Sequence, residues 1–140
     1  MKRLVVGILL AGALLMLCAS VALGAGVSPF TGSWTSIDED DSFQRMQIGG
    51  GDTPHIRYYD YGASMCDPVD HVGEPLYAAL GLGEGSVDGD DLSGSMSVWC
   101  LAKPRYLLDE DPFEFQLTYD SDSDTLLGWD DLVWTRAGGK

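Results

Sequence analysis

Asp120, Asp122 and Asp124, in the run DSDSDTLLGWDD, are spaced like the first three ligands of a calcium loop, and Asp131 falls at the twelfth place. Such oxygen donors suit a hard cation, so calcium is the ion this segment would take and no other cofactor is expected. Thr125 stands where the loop needs glycine, and no helical pattern flanks the run. A hairpin turn from Tyr119 to Leu126 therefore explains it better, with calcium as the alternative. Asp38, Glu39, Asp40 and Asp41 read the same way, as a solvated turn between two strands, because Asp hydrogen-bonds its own backbone in turns and repeated acids discourage edge pairing. His55 and His71 could form a zinc site with Asp67, Asp70 or Glu74, but one strand histidine and one loop histidine is the plainer reading.

Catalytic signatures are missing. The chain contains no G-x-S-x-G, H-E-x-x-H or G-x-x-x-x-G-K-[ST]. Among 22 acids some carboxylate pair will always sit at a separation suited to glycoside hydrolysis, so that signal carries no information. The chain reads as a non-enzyme. Four Trp and six Tyr could line a pocket instead. Tyr59, Phe113 and Phe115, taken as inward-facing, are the candidate ligand-contacting residues, whereas Trp99 lies on the opposite face from Val98 and Cys100.

The compartment follows from the first residues. Lys2 and Arg3 precede an apolar run to about residue 23, with small residues around Ala22 and Gly24, the layout of a secretory signal over 1–24. An uncleaved membrane anchor is the alternative, since the run approaches the ~20 residues a spanning helix needs. Cys18 follows Met16-Leu17 and does not fit a lipidation signal; it reads as an apolar residue in a removed segment. Residues 25–140, about 116 in all, suffice for one domain. Lys2 and Arg3 are two of the 8 basic residues, which leaves 6 against 22 acids and a formal charge of −16 for that domain. Nucleic acid and direct binding to an anionic membrane surface are disfavoured, and a small ligand or a protein is the partner expected of a secreted or cell-envelope protein. Cys66 and Cys100 remain after cleavage, and an even count in an exported domain reads as one disulfide.

The elements that position these groups read as strands, since short apolar runs alternate with Gly, Asp and Ser clusters and no period of 3.6 persists. The candidates are Ser33–Ile37, Phe43–Ile48, His55–Tyr59, Leu76–Val87, Leu92–Leu101, Phe113–Tyr119 and two short segments around Leu126–Trp129 and Leu132–Trp134. Leu76, Ala78, Leu80 and Leu82 fall at alternate positions of the fourth, and the apolar residues of the second, Phe43, Met46 and Ile48, are expected to point into the core. Asp88-Gly89 marks a hairpin. The irregular segment Asp67–Pro75 could cover one end of the domain. The expected fold is all-β, an antiparallel meander of about seven or eight strands in a closed or nearly closed barrel, with a β-sandwich as the alternative.

Gly32-Ser33-Trp34 on the first strand, with Arg136 just after Trp134, resembles the calycin pattern of lipocalins and avidin-type barrels; the rhythm also resembles small exported bacterial proteins of unknown function. The resemblance implies that Trp34 plugs one barrel end and Arg136 packs across it by a cation–π contact, a structural role. On this reading the protein is a binding module for a small apolar or aromatic molecule. The alternative is an extracellular interaction protein with a filled core and acidic, calcium-binding loops.

Overall fold

The computed structural model describes residues 28–66, 77–102 and 104–138. The signal over 1–24 with Cys18, the connection Asp67–Pro75, and Asp67, Asp70, His71 and Glu74 lie outside the described residues. Among the described residues nine strands form: β1 (Gly32–Ile37), β2 (Phe43–Ile48), β3 (His55–Tyr61), β4 (Ala79–Asp88), β5 (Asp91–Cys100), β6 (Tyr106–Leu107), β7 (Phe113–Asp120), β8 (Thr125–Leu127) and β9 (Val133–Arg136). Single 3₁₀ turns occur at Ser64–Cys66 and Trp129–Asp131.

All strands pair antiparallel, each with the next along the chain except that β7 pairs with β5, past the two-residue β6, which lies antiparallel against the end of β5 beside the barrel. Closure comes from β1 and β9, in register at Trp34 with Arg136 and Thr35 with Thr135. The result is an eight-stranded up-and-down barrel, not a sandwich. Full closure leaves no unpaired edge in the ring. The turns obey their local chemistry. Gly89 has φ 61°, a value glycine adopts without cost, and opens the two-residue link of the β4–β5 hairpin. In the acidic run, the Asp41 amide donates to the Asp38 carbonyl, while the Asp38 and Asp40 carboxylates accept from the amides of Glu39 and Ser42. That is the expected turn.

The interior is filled by Trp34, Met46, Ile48, Ile56, Leu92, Leu117, Leu126 and Trp134, each at most 3% exposed. An eight-stranded ring is just wide enough for side chains to meet at its axis. Two strand faces differ from what their apolar residues suggest. On β4 the inward residues are Ala79, Gly81, Gly83 and Gly85, and Leu80 and Leu82 point outward, Leu82 being 40% exposed. On β2, Phe43 faces out and Gln44 joins Met46 and Ile48 inside. The reason is steric. A β-carbon on Gly81 would come within 3.2 Å of Tyr58, and one on Gly83 within 2.7 Å of the Met96 β-carbon, so bulk reaching in from β3 and β5 excludes it from β4.

The Cys66–Cys100 disulfide forms, spanning 34 residues with α-carbons 5.5 Å apart. It ties the Ser64–Cys66 turn to the end of β5, and with Ala63 and Ala79 it makes a second, fully buried cluster against Val98 and Tyr77.

Candidate functional site

The two ends of the barrel differ. At the end where β1 begins, Phe30 and Trp34 are fully buried and the Trp34 indole N–H donates to the Phe30 carbonyl. The Arg136 guanidinium lies 4.1 Å from the centre of the Trp34 ring. It also donates to the carbonyls of Thr31 and Pro29 and to both carboxylate oxygens of Asp124. One arginine thus ties the segment before β1, the β7–β8 turn and the last strand together, and this end is shut. Beside it, the paired guanidinium holds the Asp124 carboxyl below the ordinary carboxylate range.

Among the described residues the opposite end is open. A cavity of about 500 Å³ is walled by Tyr58, Met96, Val98, Phe113 and Trp129, with Met65, Leu108 and Pro112 toward its rim. Trp129 anchors it. Its ring packs edge-on against Tyr58 at 5.6 Å, Phe113 at 5.5 Å and Phe115 at 6.3 Å, and tilts over Trp134 at 5.7 Å. The indole stops the core at mid-barrel and forms the side of the cavity. The β8–β9 connection holds it there in an unusual backbone, since Asp130 and Asp131 have φ of 55° and 58°. Two successive left-handed residues with β-carbons cost roughly 1–2 kcal/mol each, and the aromatic packing offsets that.

Below the cavity lies a buried polar pair. Gln44 and Asp60 face each other across β2 and β3, and each is 1% exposed. The Gln44 amide N–H donates to Asp38, and the Tyr58 hydroxyl donates to Asp60 Oδ2 at 3.3 Å. Gln44 Oε1 and Asp60 Oδ1 have no partner among the described residues. Burial, with the nearby Asp40 and Asp38 charges adding to it, raises the Asp60 pKa above its ordinary value; burial and Asp60 raise that of Tyr58. Tyr58 therefore shows the cavity a ring whose hydroxyl is already engaged.

The candidate residues separate when placed on this frame. Phe113 lines the cavity, 42% exposed. Phe115, at 5%, belongs to the core behind Trp129 and not to the cavity wall. Tyr59 is corrected outright: it lies on the outer face, stacked at 6.1 Å on Tyr61. Its neighbour Tyr58 is the inward residue, and the signal was present, because Tyr58 shares strand parity with the plainly apolar Ile56. Trp99 faces out as expected, with the Arg105 guanidinium 4.7 Å from its ring.

Asp120, Asp122 and Asp124 sit in the β7–β8 turn. Asp120 accepts from the Asp122 amide and the Ser123 hydroxyl, and Asp124 accepts from Arg136 and the Tyr119 hydroxyl. Among the described residues, no group of three or more His, Cys, Asp and Glu side chains is gathered to hold a metal ion. His55 pairs with Glu84 at 3.1 Å on the outer surface.

Fold and site together define a class, a disulfide-bonded eight-stranded barrel sealed at one end and, among the described residues, open at the other. No family model, curated protein or solved structure matches the chain.

Proposed function

We propose that this protein is an exported binding module whose open barrel end takes a small apolar or aromatic molecule. The observation that carries the reading is the cavity of about 500 Å³ walled by Tyr58, Met96, Val98, Phe113 and Trp129, which falls in the range of small-molecule sites. The module binds and performs no chemistry. A disulfide supports export, because such bonds persist in oxidising compartments. The Arg136–Trp34 stack at the sealed end supports a calycin-like barrel, in which that end is structural and the other receives the ligand.

The test is a fluorescence titration of the disulfide-bonded protein with the neutral probe N-phenyl-1-naphthylamine. Enhanced probe emission that saturates at one site, with quenching of tryptophan, is the expected result. Phe113→Ala removes one exposed wall and should weaken binding about fivefold while changing stability by less than about 1 kcal/mol. No saturable binding, or binding indifferent to Phe113, would overturn the reading.

A further inference from the structure

The mouth has a chemical bias that its apolar walls alone do not explain. Around its rim stand the acidic residues Asp109, Asp111 and Asp130, contributed by the β6–β7 connection and the β8–β9 turn; Glu114 of β7 also borders it, but strand alternation aims its side chain to the outer face. No Lys, Arg or His lies among the described residues that line the cavity. Hydrogen-bond donors are scarce as well. The Tyr58 hydroxyl is committed to Asp60, so the wall presents Tyr58, Phe113 and Trp129 chiefly as ring surfaces.

Resting on the binding-module reading above, we propose that the ligand of this mouth is an organic cation, an ammonium group carried on an apolar or aromatic body. Three terms act in the same direction. The body fills the apolar cavity and loses its contact with water. The ammonium is drawn to the electron-rich ring faces. The rim acids Asp109, Asp111 and Asp130 lie where a charge trailing from the cavity would emerge, and the formal charge of −14 on the whole chain raises the local concentration of any cation. A carboxylate or phosphate head group would meet the same acidic rim with no cation in the described lining to receive it. A neutral ligand gains the first term alone.

The experiment compares three probes of one shape, 2-naphthylmethylammonium, 2-naphthylmethanol and 2-naphthoate, by isothermal calorimetry with the disulfide-bonded protein at low and high salt. The ammonium should bind about tenfold more tightly than the alcohol, and the carboxylate more weakly than either. The gap should narrow at high salt, because the rim is exposed and salt screens it. In the exposed double variant Asp109→Asn, Asp111→Asn, ammonium affinity should fall toward that of the alcohol, by much more than the alcohol's own affinity changes. If the alcohol binds as tightly as the ammonium, charge selection is wrong and the binding module stands. If none of the three binds, both fall. Ammonium binding that the double variant leaves unaltered places the cation elsewhere and overturns the inference.

Discussion

Among the described residues, Gln44 and Asp60 set two unpartnered acceptors opposite each other, and the Gln44 amide cannot simply flip without losing its bond to Asp38. A proton on Asp60 would give that pair a donor, which agrees with the raised pKa that burial imposes. The sign of the linkage follows. A carboxyl whose native pKa lies above its unfolded value favours folding fully below the ordinary value of 3.8, and that contribution is lost as pH rises through the raised native value. At neutral pH the buried charge is a cost. Asp60→Asn supplies the missing N–H without the charge, so it should stabilise the protein at pH 7 by about 1 kcal/mol and have little effect near pH 4. Urea denaturation at the two pH values checks this; a variant less stable than the parent at pH 7 would show that the ionised carboxylate is required.

Single strands show where local pattern informs and where it misleads. In β7, Phe115, Leu117 and Tyr119 alternate with Glu114, Gln116 and Thr118, and the inward face is the one alternation selects. In β4, both parities are weakly marked: leucine at 80 and 82 against glycine at 81, 83 and 85. Local pattern picks the leucines, and the structure turns them outward, because Met96 and Leu92 of β5 and Tyr58 of β3 already occupy the space inside. Glycine there is a packing requirement set by other strands. Gly83→Ala should therefore be costly at a site that looks permissive, since its β-carbon would strike the Ser95 carbonyl and lie 2.7 Å from the Met96 β-carbon. Overpacking of this kind costs about 1–3 kcal/mol. Leu82→Ala, on the outer face, should cost far less. Equal losses in chemical denaturation would mean that β4 is rotated relative to this account.

At the scale of the whole molecule, the disulfide links stability to the open end. The bridge closes a loop across 34 residues, a constraint on the unfolded chain of about 3 kcal/mol, and it carries Met65 to the cavity rim beside Val98. The double variant Cys66→Ala, Cys100→Ala should lose about 2–4 kcal/mol in thermal or urea unfolding and bind N-phenyl-1-naphthylamine more weakly. Unchanged probe affinity in the folded variant would show that the turn keeps its place without the bridge. By itself the sequence determined the class of fold, nearly every strand segment, the acidic turns and the cysteine pairing, because these rest on local alternation, backbone preferences of Asp and Gly, and the arithmetic of two cysteines. Tertiary structure decided which parity of β2 and β4 turns inward and that Trp129, not Phe115 or Tyr59, borders the cavity. It also decided that one end is sealed and the other, among the described residues, open. Those outcomes depend on closure between β1 and β9 at opposite ends of the described chain, and on the volume left at the axis once all eight strands have contributed side chains. No single segment contains that volume, so no single segment can announce it.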